Sequence, residues 1–166
     1  MASFSSFLNR KYIGSKRKPL QKSQIDYGSL CEINYNGKDG VKKYNVLVLH
    51  PKLDGKILHC LDLDLIEERI FVNFYNENKE EEDKILYERL TKKKGLLKSN
   101  IRIGTSFYTT KVKNNKLLMR DRPYKTLELS KITSVKYIPY DEGNIVKTYE
   151  QQINEEQLNN NESQEL

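Results

Sequence analysis

Apolar and polar residues alternate through the segment 28–63. Successive side chains of a β-strand point to opposite faces, so alternation with a period of two indicates half-buried strands. Two breaks, at residues 37–40 and at the Asp54-Gly55 pair, supply the positive-φ positions that hairpin turns favour. The pattern predicts an antiparallel meander of three strands, whose apolar positions are Cys31, Ile33 and Tyr35, then Tyr44, Val46 and Val48, then Ile57, His59, Leu61 and Leu63.

The capping pattern of the next segment predicts a helix over residues 79–93. Asn78 and Glu81 have the spacing of a capping box, acidic residues follow in the first turn, and lysines precede Gly95. The stretch before this helix, LIEERIFVNFYN, places apolar residues at helical spacing. It is compatible with either a short helix or the continuation of a strand.

Extended structure is predicted again after Gly95. The stretch FYTTKVKNNKLLMR predicts a hairpin that turns at Asn114-Asn115, and YKTLELSKITSVKYIPY predicts a strand pair that breaks at Ser130-Lys131. The expected fold is mainly β with one helix, in the α+β class. A small, SH3-like bent barrel is favoured, because one flat sheet of this size leaves an apolar face unburied. An open α+β sheet is the alternative.

Charge divides the 166-residue chain into three segments. Residues 1–25 hold six basic and no acidic side chains and are predicted to form a flexible basic arm. Residues 26–140 are predicted to form the single SH3-like, β-rich domain. Residues 141–166 hold seven acidic side chains against Lys147, and are predicted to form an acidic, Asn/Gln-rich tail with a short amphipathic helix near its start.

Other features narrow the class of protein. The longest apolar run, residues 46–49, is far shorter than the roughly 20 residues of a membrane-spanning helix. At the amino end the basic residues follow the weakly apolar stretch, which is the reverse of a secretory signal and favours the cytosol. Cys31 and Cys60 lie in apolar strand patterns and are predicted to be reduced, buried thiols. His50 and His59 lack the neighbours of a known metal motif, so no metal or cofactor is predicted.

Basic residues interleaved with aromatic ones are the main functional signal. Residues 89–125 hold twelve basic side chains against Asp121 alone. Such surfaces bind phosphates and stack on bases. The predicted nucleic-acid-binding residues are Arg102, Lys111, Lys113, Lys116, Arg120, Arg122 and Lys125 with Tyr108 and Tyr124, and, in the arm, Arg10, Lys11, Lys16, Arg17 and Lys18. In the alternative interpretation the tyrosines are core or edge residues, and the lysines only keep a two-faced hairpin soluble.

One acidic pair is the best candidate for catalysis. Asp62 and Asp64 alternate on a predicted strand, so both carboxylates would face one side and could share a divalent ion, as nucleases require. No neighbouring motif accompanies them, and a lone D-x-D is more often a solvated face. No catalytic residue is predicted, and a nuclease is kept only as a third hypothesis.

Two resemblances to known families add to this interpretation. The residues YKTLELSKITSVKYI, at 124–138, resemble the closing element of WYL-type SH3-like domains, which implies the fold alone. This chain has no tryptophan and no preceding helix-turn-helix, so the transcriptional role of that family does not carry over.

The second resemblance is to small proteins of tailed bacteriophages, some of which are described as DNA end protectors. It rests on the opening at 28–35, the aliphatic run at 46–49, Asp54-Gly55, the strand at 60–63, and a closing element of Tyr124-Lys125 with residues 131–134. Together with the basic residues, it favours a non-enzymatic phage accessory protein that contacts DNA phosphates through the basic hairpin surface, without sequence preference, and that resides in the host cytoplasm or is incorporated in the virion. The alternative is a virion or assembly component that binds other phage proteins through its tails.

Overall fold

The computed structural model describes residues 2–26, 28–51, 55–92 and 106–140. The chain divides into two units, of which the first comprises Met1–Asn76 and Gly104–Pro139 and the second Glu77–Ile103 and Tyr140–Leu166. The first unit contains a six-stranded antiparallel sheet together with helices. The α+β class is therefore confirmed.

The sheet has the strand order β1-β6-β2-β3-β4-β5. Its strands, in chain order, are β1 (Lys18–Leu20), β2 (Leu30–Gly37), β3 (Gly40–Pro51), β4 (Ile57–Asp62), β5 (Tyr124–Glu128) and β6 (Ile132–Tyr137). The meander β2-β3-β4 is confirmed, and its first turn contains Gly40 at φ +98°. The sheet is open in the part of the chain that is described, with β1 and β5 as its edges.

The connection between β5 and β6 shows that the sheet is strongly curled. These strands lie four places apart in the sheet, which is about 19 Å for a flat sheet with the usual strand spacing. Only one 3₁₀ turn, Leu129–Lys131, joins them, and three such residues rise about 6 Å. The backbone N–H of Glu128 in β5 also donates to the hydroxyl of Tyr35 in β2, at 3.3 Å. The sheet must bend to bring these two strands together.

Both faces of this curled sheet are buried. The inner face holds a cluster that includes Cys31, Val46, Val48 and Cys60, all with no exposed surface. Burial raises the pKa of the Cys31 thiol to about 11 and that of Cys60 to about 12, so both remain protonated and unreactive at neutral pH. Both are free thiols, as predicted.

The outer face is covered by helices. Leu47 and Leu49 alternate with the inner residues of β3 and are equally buried. Helix α1 (Phe4–Lys11) and helix α2 (Glu68–Lys92) meet through the stacked rings of Phe4 and Phe71, 4.3 Å apart. Helix α3 (Ser106–Lys113) packs on β3 and is followed by the short helix α4 (Lys116–Met119).

The amino-terminal segment differs from the flexible arm that its composition predicts. Ser3 caps α1 by accepting a hydrogen bond from the backbone of Ser6, and Phe4 and Leu8 are completely buried. Strand β1 then pairs with β6, with Lys18 opposite Tyr137. Residues 2–20 are therefore part of the first unit, since apolar burial and strand pairing outweigh a polar composition.

Helix α2 contains the predicted helix but begins at Glu68, so the ambiguous stretch before residue 79 is helical. Phe71, Phe74 and Tyr75 are buried in its first part, which belongs to the first unit. The later part belongs to the second unit and carries an ion pair between Lys79 and Glu82 at 3.0 Å. The predicted end of the helix beyond Lys92, and the whole predicted acidic tail, lie outside the described residues.

Candidate nucleic-acid interface

The prediction of a basic hairpin at 107–120 is wrong, because this stretch forms helices α3 and α4. Tyr108 and Val112, four residues apart, are both fully buried and anchor one face of α3. The side-chain oxygen of Asn115 accepts a hydrogen bond from the backbone N–H of Leu118, at 3.0 Å. Asn115 therefore caps α4 instead of forming a hairpin turn.

Four exposed cations remain on this helical segment, and we refer to Lys113, Lys116, Arg120 and Arg122 as the basic surface. Among the described residues, none of the four forms an ion pair. The single acidic residue of the segment, Asp121, is also exposed. Arg122 has a positive φ of 52°, and its N–H donates to the carbonyl of Met119, which turns the chain sharply after α4. The basic surface is compact in sequence and largely unneutralised.

Lys111 lies at the margin of this surface. Its side chain is partly buried, and its ammonium lies 5.8 Å from the centroid of the Phe107 ring. Lys111 therefore contributes charge near the basic surface but presents less of it to solvent.

Tyr108 is a core residue, which corrects its prediction as a base-stacking platform. It has no exposed surface, and it packs closely against the Cα of Gly28, where an added Cβ would lie 2.7 Å from the ring carbon Cζ. Gly28 also has a φ of +82°, which favours glycine. A ring enclosed in this way cannot stack on a nucleotide.

Arg17 is likewise a structural residue, which corrects its prediction as a phosphate contact. Its side chain is only 5% exposed and forms an ion pair with Glu32, at 2.7 Å. The same guanidinium donates hydrogen bonds to Asn45 Oδ1 at 3.0 Å, to Asn9 Oδ1 and the Leu8 carbonyl at 3.1 Å each, and to the Tyr12 carbonyl at 2.6 Å. Arg17 thus joins the end of α1 to strands β2 and β3, and no donor is left for a ligand.

The other predicted residues of the amino-terminal segment, Arg10, Lys11, Lys16 and Lys18, are exposed. Lys11 lies over the Phe7 ring at 5.6 Å from its centroid, and Lys16 donates to the Lys11 carbonyl at 3.4 Å. These residues form a second group of surface cations, separate in sequence from the basic surface. Arg102, the remaining predicted arginine, lies outside the described residues.

Lys125 is partly neutralised by Asp62, one of the two aspartates of the candidate catalytic pair. Its ammonium lies 3.0 Å from Asp62 Oδ2 and 4.3 Å from the centroid of the Tyr44 ring. Burial lowers the pKa of Lys125. The hydrogen bond with Asp62 and its negative charge together outweigh this effect, so the net pKa of Lys125 is raised. Asp62 is buried and also accepts from the backbone of Asp64, which lies exposed on a 3₁₀ turn.

Sequence reasoning missed a cluster of aromatic and hydroxyl side chains next to the basic surface. His50 and His59 face each other across β3 and β4, and their rings stack with centroids 4.4 Å apart at 10°. His50 Nδ1 is 2.7 Å from Thr109 Oγ1 of α3, and His59 Nδ1 is 2.5 Å from the Tyr124 hydroxyl of β5. The ammonium of Lys113 lies 5.7 Å from the centroid of the Tyr124 ring. We call these five residues the histidine cluster.

Burial, with smaller contributions from nearby groups, favours the neutral forms of His50 and Tyr124. Burial lowers the pKa of His50, and the positive charge of Lys113 lowers it further. Burial also raises the pKa of Tyr124, with a smaller contribution from Cys60. His50 is therefore neutral at neutral pH, and Tyr124 keeps its phenolic proton.

The described residues contain neither a candidate metal site nor a helix that could span a membrane. No three His, Cys, Asp or Glu side chains in these residues approach one another as metal ligands. No helix of the described ranges combines the length and the apolar character needed to cross a bilayer.

In comparisons with known proteins, no protein-family model, no curated protein and no solved structure matches this chain. The likeness to WYL-type domains and to tailed-bacteriophage proteins therefore stays a prediction.

Proposed function

We propose that this protein is a non-enzymatic accessory protein, of the kind found in tailed bacteriophages, that binds nucleic acid through the phosphate backbone. The observation that carries the proposal is the basic surface, in which four exposed cations have no ion-pair partner among the described residues. Cations that are not neutralised within the protein can exchange their counterions for phosphates, and release of the condensed DNA counterions drives such binding.

We further propose that the curled sheet is an SH3-like barrel. Two features support this assignment, namely the order β6-β2-β3-β4-β5 within the sheet and the short 3₁₀ turn that connects β5 to β6. In this arrangement α3 and α4 are additions on the outside of the barrel, and the basic surface projects from them. The barrel provides a rigid support, and the added helices provide the contact.

The expected binding is electrostatic and has little sequence preference. If each of the four cations neutralises one phosphate, the logarithm of the binding constant falls with the logarithm of the salt concentration with a slope of about −3.6 on duplex DNA. Contacts to phosphates alone carry no direct information about sequence. Two unrelated duplexes of equal length should therefore bind with equal affinity.

A charge-matched pair of variants tests the proposal. The test variant combines Lys113→Gln, Lys116→Gln, Arg120→Gln and Arg122→Gln. The control removes the same charge elsewhere, through Lys38→Gln, Lys42→Gln, Lys84→Gln and Lys92→Gln, all of which are exposed. Fluorescence anisotropy with a labelled duplex across a salt series should show lower affinity and a nearly flat slope for the test variant only.

Two outcomes would overturn the proposal. Equal losses in both variants would mean that net charge alone accounts for binding. If the wild-type protein shows no association with DNA even at low salt, but joins a virion or a subunit ring, the alternative role as an assembly component replaces it.

A further inference from the structure

The histidine cluster occupies one edge of the basic surface, because Lys113 belongs to both. Lys113 lies on the last turn of α3 with its ammonium over the Tyr124 ring, and its positive charge lowers the pKa of His50. The cluster draws side chains from β3, β4, β5 and α3, all within the first unit. Through Lys113 the cluster is linked to the cations that are proposed to bind phosphates.

His50 is held in place but has an unused nitrogen. The Thr109 hydroxyl engages Nδ1 at 2.7 Å, and the ring stacks on His59, so its orientation is fixed. Within the described residues, Nε2 of His50 has no hydrogen-bond partner, and the ring is partly exposed. A hydroxyl can donate to a neutral imidazole or accept from a charged one, so the contact with Thr109 survives a change of protonation at His50.

The second histidine is held by a hydroxyl group of its own. The Tyr124 hydroxyl, whose pKa is raised by burial, stays protonated and forms a hydrogen bond with Nδ1 of His59, 2.5 Å away. Hydroxyl groups of α3 and β5 therefore fix the two stacked rings, whose centroids lie 4.4 Å apart.

Among the described residues, the groups around His50 include one cation and no carboxylate. They are Lys113 from α3, whose charge acts on His50, and His59 from β4, which stacks on it, while Tyr124 from β5 contacts His59. None of these is a carboxylate. An oxyanion placed between Lys113 and Nε2 of His50 would compensate the lysine charge that now opposes protonation of the ring.

We propose that Lys113 and His50 form a phosphate-binding site at the edge of the basic surface, and that His50 takes up a proton from solvent at Nε2 when a phosphate binds. This inference rests on the proposed function, and it identifies the one phosphate contact whose strength depends on pH. The proton adds a second charge-assisted hydrogen bond to the one from Lys113. Thr109 positions the His50 ring, and His59 supports it by stacking.

Proton uptake by His50 and phosphate binding strengthen each other. The pKa of His50 is lowered in the free protein and is raised again by the bound phosphate, so protons and phosphate bind cooperatively. Affinity must rise as the pH falls through the range between the two pKa values. Wild-type protein should bind a duplex about tenfold more tightly at about pH 5.5 than at about pH 7.5, on either side of the ordinary titration range of histidine.

The test combines a binding measurement with a direct titration. DNA affinity is measured at both pH values for the wild type, His50→Gln and His59→Gln, and for Lys113→Gln and its neighbour Lys111→Gln. The pH dependence should disappear in His50→Gln and fall severalfold in Lys113→Gln, but persist in His59→Gln and Lys111→Gln. Separately, the His50 ring is titrated by NMR with and without inorganic phosphate, which should raise its pKa, and this rise should be lost in Lys113→Gln.

The two experiments separate failure of the inference from failure of the proposed function. DNA binding with an unchanged pH dependence in His50→Gln would overturn the site while leaving nucleic-acid binding intact. Absence of DNA binding together with a phosphate-dependent pKa of His50 would support the site for free phosphate and refute the nucleic-acid role. An NMR titration of His50 that does not respond to phosphate would overturn the inference outright.

Discussion

The amino-terminal segment and the α3–α4 segment have similar compositions, rich in lysine and arginine, but the structure uses their charges differently. In the first, Arg17 is buried and bonded to five acceptors that include the carboxylate of Glu32. In the second, four cations are exposed and have no ion-pair partner among the described residues. Charge density along a sequence therefore does not separate structural cations from available ones; burial and acceptors do.

The largest expected effect on the free energy of unfolding is that of replacing Arg17. Arg17→Met should lower the free energy of unfolding by about 3–5 kcal/mol, because it leaves the Glu32 carboxylate buried beside only the exposed, more distant Lys43, at 3.7 Å. Chemical denaturation monitored by circular dichroism measures this change. The adjacent, exposed Lys16→Met is the control and should change stability by less than about 0.5 kcal/mol. Equal stabilities of the two variants would show that Arg17 does not stabilise the packing of the amino-terminal segment.

An intermediate effect is expected at Lys125, whose side chain is 33% exposed in its ion pair with Asp62. Lys125→Met should cost about 1 kcal/mol, because solvent screens the pair and the Tyr44 contact is partly retained by the apolar side chain. Asp62→Asn should cost a similar amount, and the double variant should cost less than the sum of the two. Additive losses in this double-mutant cycle would mean that the two groups do not interact.

The smallest effect on stability is expected at the basic surface. Lys116→Gln should change the free energy of unfolding by less than about 0.5 kcal/mol, since the side chain is exposed and forms no ion pair in the described part of the chain. The same variant should weaken DNA binding and reduce the magnitude of the salt slope by about 1. A loss of stability comparable to that of Lys125→Met would place Lys116 among the structural cations.

Strands β2–β6 could be predicted from the sequence because each carries its own pattern, whereas β1 lies in the segment predicted to be a flexible arm. Alternation in β2, β3 and β4 reflects two distinct environments on the two faces, and Gly40 marks the turn between β2 and β3. The two strands expected at 124–140 also exist, but they do not pair with each other, because β5 pairs with β4 and β6 pairs with β1 and β2. Strand partners depend on how the sheet curls, which local alternation does not specify.

Helix α3 was not predicted because its residues are compatible with both a strand and a helix. Threonine, valine and aromatic residues favour strands, and the alternation of polar and apolar residues in FYTTKVK fits a strand as well as a helix. The pair Tyr108 and Val112, spaced by four, was the available helical signal, and Asn115 was interpreted as a turn residue although it caps α4.

The candidate site was only partly predictable for a related reason. The cations of the basic surface are contiguous in sequence and were identified. Arg17 and the histidine cluster depend on partners far along the chain: Glu32 and Asn45 for Arg17, and Thr109 and Tyr124 for the histidines. Such contacts arise from the fold and leave no local pattern in the sequence.

The pairing of β1 with β6 has a consequence for synthesis of the protein. Lys18 lies opposite Tyr137, so the first strand to leave the ribosome pairs only with the last strand of the sheet. The ribosome adds about 5–20 residues per second, so several seconds pass between the synthesis of β1 and that of β6. Contacts between such distant positions also slow folding, because the ends of a long loop must first meet. Completion of the sheet is therefore a late event in the folding of this unit.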